Sequence, residues 1–132
     1  MNVTGIQDLM DTTTVMHTDD GGIEAFTVVG EDPHYLDAEK GVMRAFPLVE
    51  LMARIAAHII ESDPSTEAEK LLLGTIESVH FYKFISAGDK LRTTLSLSES
   101  KDIPTGIRAN VTIYKYDQTE MVCEGIYTFI PC

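Results

Sequence analysis

The fold of this chain is decided by residues 44–62, RAFPLVELMARIAAHIIES. Apolar side chains occupy almost every side of a helical turn in this stretch, which predicts a buried helix from about Arg44 to Ser62. Pro47 is compatible with the helix because it lies in the first turn, where a backbone N–H has no intrahelical partner to lose. The polar exceptions are Glu50, Arg54, His58 and Glu61. Their spacing of four, four and three residues places them on one face of the helix.

The residues on both sides of this helix predict β-strands. Residues 91–98, LRTTLSLS, show the clearest alternation of apolar and polar side chains. Further strands are predicted after the helix, over residues 76–85, 107–116 and 121–130. Before the helix, the sequence predicts a short helical turn at residues 6–11. It also predicts a hairpin whose strands are residues 12–17 and 23–29 and whose turn is at residues 19–22. Because the later connections are short, consecutive strands are expected to pair antiparallel in a long meander.

The composition limits the class of protein. The chain has 132 residues, of which 44% are hydrophobic and 23% charged, and this predicts one packed domain spanning residues 1–132. The net charge of −11 and the scattered Lys and Arg residues exclude a nucleic-acid partner and disfavour a membrane surface. No signal peptide or bilayer-spanning run is visible, so the chain is expected to be cytoplasmic.

The spacing of cysteine and histidine residues predicts neither a metal site nor a bound cofactor. Cys123 lies in an apolar alternating segment, which is typical of a small core residue, and no Cys-x-x-Cys pair is present. No pair of histidines has metal-ligand spacing beside a carboxylate, and no glycine-rich phosphate loop occurs.

An apolar helix of this kind has to be wrapped, and a strongly curved antiparallel sheet can do so. One such layer leaves a face of the sheet and its edge strand exposed. A symmetric homodimer or a higher homo-oligomer would bury both, so self-association is predicted.

Glu50 is the first candidate for chemistry. In the simpler interpretation it is a solvated acid that forms an ion pair with Arg54, worth about 0.3–0.5 kcal/mol. In the other, it is a carboxyl group in an apolar cleft, whose pKa is raised so that it donates a proton near neutral pH. Periodicity alone leaves both interpretations open.

His34 is the second candidate, because it lies in the loop that leads to the helix. Loop histidines are usually surface residues, but this one is tethered near the helix N-terminus, where backbone N–H groups can bind an oxyanion. A base, an acid and an oxyanion site together are the parts needed for proton abstraction next to a carbonyl.

Two stretches of the chain resemble a known family. His34-Tyr35 and residues 41–54, GVMRAFPLVELMAR, resemble the His loop and central helix of hotdog-fold dehydratases, which act on 3-hydroxyacyl groups held by acyl carrier protein. Residues 81–91, ending in AGDKL, resemble the same family's strand and turn. The resemblance implies an α+β hotdog fold, in which a curved antiparallel sheet wraps around one long central helix.

The resemblance also implies a mechanism in fatty-acid or polyketide-type metabolism. His34 would remove the α-proton of a 3-hydroxyacyl thioester, and Glu50 of the other subunit would protonate the departing hydroxyl, with Arg54 modulating that acid. The backbone N–H groups near the helix start would polarise the carbonyl, and a tunnel would hold the acyl chain. The residues implied are Ala45 and Phe46 for the carbonyl, and Val49, Met52, Ala53, Phe81 and Phe84 for the tunnel.

Two alternatives remain beside dehydration, and all three involve an acyl thioester of acyl carrier protein or CoA. In the first, the chain is a hotdog thioesterase in which Glu50 activates water or attacks the thioester directly. In the second, it is a non-catalytic acyl-binding subunit, in which the Glu50–Arg54 pair is structural and the tunnel binds without reacting.

Overall fold

A computed structural model describes residues 5–18, 22–37, 39–62, 70–116 and 119–131. Within them the chain forms two helices and six strands: α1 Gly5–Asp11, β1 Thr13–His17, β2 Ile23–Val28, α2 Ala45–Ser62, β3 Leu71–Phe81, β4 Lys90–Glu99, β5 Ile107–Lys115 and β6 Met121–Pro131. The predicted α+β architecture with one long helix is confirmed. Most of the turn predicted at residues 19–22 lies outside the described residues.

The six strands form one antiparallel sheet in the order β1-β2-β4-β5-β6-β3. The predicted meander is correct for β4, β5 and β6, but it is wrong for β3, which pairs with β6 at the edge of the sheet. The loop before α2 holds the segment that follows β3. The Met43 N–H donates to the Ile85 carbonyl at 2.7 Å, and Val42 forms a β-bridge with Ser86. The chain therefore crosses to β4 instead of turning back on β3.

The bounds of β3 also differ from the prediction of a strand over residues 76–85. The strand begins at Leu71 and ends at Phe81, with register shifts against β6 between Leu73 and Thr75 and between Ile76 and Ser78. These irregularities interrupt the two-residue period, which is why the alternation in the sequence did not mark the start of the strand.

Helix α2 packs its apolar side against the sheet. Its buried residues are Leu48, Leu51, Met52, Ile55, Ala56, Ile59 and Ile60. Gly125 of β6 permits close approach, because a Cβ there would lie 2.8 Å from the Tyr127 ring and 3.1 Å from Met52 Cε. The Tyr127 hydroxyl donates to the Val49 carbonyl at 2.9 Å and ties strand to helix. Among the described residues, no helix combines the length and apolar character needed to cross a bilayer.

Part of α2 remains uncovered in this chain. Val49, Ala53 and Ala57 are only partly buried, and the Phe46 side chain is 88% exposed. The neighbouring strand β3 also presents half-exposed apolar side chains, which are Leu72, Leu73, Ile76 and Phe81. The open side of the helix thus faces the edge of the sheet that β3 forms.

Candidate active site

An open groove of about 490 Å³ lies between α2 and β3, a volume within the range of small-molecule sites. Its lining residues are Phe46, Val49, Glu50, Ala53, Arg54, Ala57, Leu71, Leu73, Ile76 and Phe129. All of these except Glu50 and Arg54 are apolar. The groove therefore combines an apolar channel with one ion pair, which is the composition expected for holding an acyl chain beside a reactive group.

The groove exists because α2 carries small side chains where it faces β3. Ala53 and Ala57 are four residues apart and lie on one side of the helix, so their short methyl side chains leave space between the helix and β3. Leu71 at the start of β3 and Phe129 of β6 are both buried and form the floor of the groove. The lining residues that sequence reasoning missed are Ala57, Leu71, Leu73, Ile76 and Phe129; the Ala53–Ala57 spacing was the one available signal.

Glu50 and Arg54 form the polar part of the groove. Arg54 Nη2 lies 3.0 Å from Glu50 Oε1, and the two side chains are 41% and 44% exposed, respectively. The carboxylate is therefore accessible to water while it accepts a hydrogen bond from the guanidinium. The modulating role assigned to Arg54 stays a prediction.

His34 lies in the loop before α2, and its imidazole contacts Asp32. Its Nδ1 is 2.7 Å from Asp32 Oδ1, which also accepts the His34 backbone N–H at 2.8 Å. The ring is 65% exposed. Arg44, the residue before α2, holds the loop from the other side, because its guanidinium donates to the carbonyls of Pro33 (3.3 Å) and His34. The loop is thereby tied to the start of the helix.

The charge of Asp32 is set by its hydrogen-bond donors. A hydrogen bond from the Asp8 carboxyl of α1, followed by those from the backbone and ring of His34, lowers the pKa of Asp32 to about 2. The same Asp8–Asp32 hydrogen bond raises the pKa of Asp8. The neighbouring carboxyl groups therefore shift in opposite directions, with the pKa of Asp32 lowered and that of Asp8 raised.

Within one chain, the structure does not bring His34 to the groove that holds Glu50, since His34 is not among the lining residues. Ala45 and Phe46 are the first two residues of α2, and their N–H groups have no intrahelical acceptor. The side chain of Phe46 also lines the groove, so this helix start and Glu50 lie along the same channel. The catalytic roles of His34 and Glu50 and the carbonyl-binding role of Ala45 and Phe46 stay predictions.

The residues implied for the acyl tunnel lie in three different places. Val49 and Ala53 line the groove. Met52 does not, because it is fully buried under the sheet with its Sδ 3.8 Å from Cys123 Sγ. Phe81 and Phe84 are exposed and line a separate pocket of about 180 Å³. The resemblance implied a tunnel lined by some of these five residues, but α2 turns Met52 toward the core and the segment after β3 carries Phe84 to the separate pocket.

Among the described residues, no group of three or more His, Cys, Asp or Glu side chains could hold a metal ion. The predicted absence of a metal or cofactor stays a prediction.

Two basic side chains of the sheet and of the segment after β3 are already paired with acidic ones. Arg92 lies 3.2 Å from Glu24 and over the Tyr114 ring, and Lys83 contacts Glu120.

The comparisons with known proteins identify the fold. No family model matches the sequence, and no curated protein matches it. Many solved structures are similar to this chain, and three of them illustrate the likeness over most of both chains. A hypothetical thioesterase of Streptococcus pneumoniae, in complex with coenzyme A, is 17% identical, covers 90% of this chain and 87% of its own, and has a TM-score of 0.70.

The other two structures have a similar sequence identity, coverage and TM-score. Zebra fish thioesterase superfamily member 2 is 13% identical over 96% of this chain and 86% of its own, with a TM-score of 0.72. The Escherichia coli PaaI protein, from the phenylacetic acid degradation operon, is 14% identical, covers 99% of this chain and 86% of its own, and has a TM-score of 0.71. This chain therefore has the α+β hotdog fold, as the sequence resemblance implied.

Proposed function

We propose that this chain hydrolyses acyl-CoA thioesters, with the acyl group in the groove beside α2 and Glu50 as the catalytic residue. The observation that carries the proposal is a solvent-accessible carboxylate, paired with Arg54, inside an otherwise apolar channel. Two of the similar proteins are named as thioesterases, and one of these was solved with coenzyme A. These likenesses support hydrolysis over the dehydration that the sequence resemblance implied.

The ion pair supports the same choice for a chemical reason. A dehydratase needs an acid that gives a proton to the departing hydroxyl, whereas a thioesterase needs a carboxylate that accepts a proton or attacks carbon. A guanidinium at 3.0 Å interacts favourably with the charged form of Glu50. The observed pair is thus suited to a proton acceptor.

In the proposed reaction, Glu50 takes a proton from water, and the resulting hydroxide forms a bond to the thioester carbon. The carbonyl oxygen becomes an oxyanion, which the N–H groups of Ala45 and Phe46 would bind. The C–S bond then breaks, and the departing thiolate takes the proton back from Glu50. The products are the fatty acid and free CoA, and no cofactor is consumed.

CoA is a better candidate carrier than acyl carrier protein. Acyl carrier protein is acidic, so its docking on a chain of net charge −11 would need a local basic surface. Arg92 and Lys83 are engaged by Glu24 and Glu120, and Arg44 is engaged by loop carbonyls. CoA also carries phosphate charges, but as a small molecule it needs only a few basic side chains and not an extended basic surface.

The test is release of free thiol from acyl-CoA. We expect Glu50→Gln to lower kcat by about 10²-fold or more, because it removes a general base or nucleophile. Glu99→Gln makes the same chemical change at the far end of β4 and is the matched control. Intact acyl-CoA after long incubation, despite measurable binding, would support a non-catalytic acyl-binding subunit and overturn the proposal.

Dehydration is retained as a second candidate because of one observation, the contact between His34 Nδ1 and Asp32. That contact is the arrangement of an oriented histidine base. Conversion of a 3-hydroxyacyl thioester to the trans-2-enoyl product, lowered about 10²-fold or more by His34→Ala, would support dehydration. Thiol release that depends on Glu50 and survives His34→Ala would support hydrolysis.

A further inference from the structure

Asp32 makes more hydrogen bonds than a turn residue requires. Its Oδ1 accepts the backbone N–H of His34, which is the usual cap of an Asx turn. The same oxygen also accepts from the ring at Nδ1, at 2.7 Å. The bond to the ring has no function in the turn, so it needs a separate explanation.

The chemistry of imidazole supplies that explanation. A neutral histidine carries one hydrogen, on either Nδ1 or Nε2, and the partner of one nitrogen decides which it is. An ionised carboxylate only accepts hydrogen bonds, so Nδ1 must be the donor. We infer that Asp32 is a positioning residue for His34, which holds its ring in the Nδ1–H tautomer and leaves Nε2 as the proton-accepting nitrogen.

The rest of the loop supports this assignment. Arg44 holds the carbonyls of Pro33 and His34, and its own N–H donates to the Tyr35 carbonyl at 2.9 Å. The backbone that carries His34 is therefore fixed to the residue that precedes α2. The Asp32 side chain is 18% exposed, which limits competition from water for the same oxygen.

The inference deepens the second candidate reaction, on which it rests for its substrate. In that reaction, Nε2 forms a bond to the α-proton of a 3-hydroxyacyl thioester, and the electron pair of the broken C–H bond goes into the enolate. Asp32 keeps its charge throughout and stabilises the imidazolium that forms. Asp32 touches neither the substrate nor the reacting atoms, so its effect must pass through His34.

The direct test is the tautomer of His34, measured by ¹⁵N NMR of histidine-labelled protein at alkaline pH, where the ring is neutral. The His34 signals are assigned by their loss in His34→Ala. We expect the Nδ1–H tautomer in the parent protein and a shift toward Nε2–H in Asp32→Asn, because the amide can donate to Nδ1. Asp37→Asn is the matched control, since Asp37 caps the backbone N–H groups of Glu39 and Lys40 in the same loop.

An Nε2–H tautomer in the parent protein, or an Asp32→Asn spectrum equal to that of Asp37→Asn, would overturn the inference. The second readout is enoyl formation from a 3-hydroxyacyl-CoA. We expect Asp32→Asn to lower kcat about tenfold or more with KM unchanged, and to have no further effect in the His34→Ala background. Additive losses would show a structural role and also overturn it. If the parent protein forms no enoyl product, the second candidate falls while the NMR result still decides the inference.

Discussion

Arg54 Nη2 lies 3.0 Å from Glu50 Oε1, one helical turn along α2, and both side chains face the groove. The simpler sequence interpretation expected this pair on a solvated stripe, and the sharper one expected an acid in an apolar cleft. The structure has features of both, because the pair is partly exposed and yet lines an apolar channel. The contribution of the ion pair to folding stability can be measured separately from its contribution to catalysis.

Arg54→Met tests that separation. Methionine keeps much of the side-chain length and removes the charge, so we expect unfolding free energy to change by less than about 0.5 kcal/mol, as for exposed i,i+4 pairs. Thiol release should fall about tenfold, because Glu50 loses the group that orients it. Urea denaturation and a thiol assay measure the two effects, and a stability loss above about 2 kcal/mol with full activity would contradict the prediction.

Ala57→Leu tests whether the groove holds the acyl chain. The added side chain would occupy the channel beyond Glu50, so we expect KM to rise for long-chain acyl-CoA and to stay unchanged for acetyl-CoA. His58→Leu places the same leucine side chain at the next position, outside the groove, and serves as the control. Equal effects on short and long chains would remove the groove as the acyl site.

Met52→Ala tests the core position of a residue that the sequence assigned to the acyl tunnel. Met52 is fully buried against Cys123 and Gly125, so its truncation should lower the unfolding free energy by about 2–5 kcal/mol. Met121→Ala, at a side chain that is 39% exposed, should cost much less. A small loss at Met52 with altered chain-length preference would instead support the tunnel assignment.

Cys123 provides a pH test. Burial, followed by the nearby Glu124 charge, raises the pKa of its thiol from 9.0 to about 12. The folded state therefore keeps a proton that the unfolded state loses, so this contribution to stability is complete below pH 9 and is lost as the pH rises toward 12. Denaturation at increasing pH should show this loss, and Cys123→Ala should reduce its slope. Rapid alkylation of Cys123 in the native protein would contradict the burial.

Self-association stays a prediction, and the edge strand β3 gives it a specific test. Leu72, Leu73 and Ile76 are about half exposed along that strand. We expect light scattering to give a mass above one chain, and Ile76→Lys to lower it, because a charge at an apolar edge opposes pairing. A mass equal to one chain in the parent protein would remove the dimer.

The sequence was sufficient for the parts of the fold that follow from local periodicity. The helix from residue 45 to 62 and the β4–β5–β6 meander were recognisable because apolar spacing and short turns act over a few residues. The position of β3 was not, because it depends on how the segment after Phe81 is held by residues 42–43, far away in the sequence.

The same difference applies to the candidate site. Glu50 and Arg54 were found from their spacing on one helix, and the pair is present. Asp32 was missed as the partner of His34, although the two are separated by a single proline, because the direction of an imidazole is decided by a side-chain hydrogen bond and not by a repeat. The floor of the groove was missed because it is built from β3 and β6, which meet only in the folded chain.

The pairing of β3 with β6 also has a consequence for how the chain folds. The neighbour of β3 is the last of the six described strands in chain order, so the apolar side chains of β3 have no partner strand until β6 has been synthesised. Such contacts between distant parts of a sequence slow folding and leave intermediates prone to aggregation. Truncation before β6 would therefore remove the strand that lies between β5 and β3, and β3 would lose its place in the sheet together with β6.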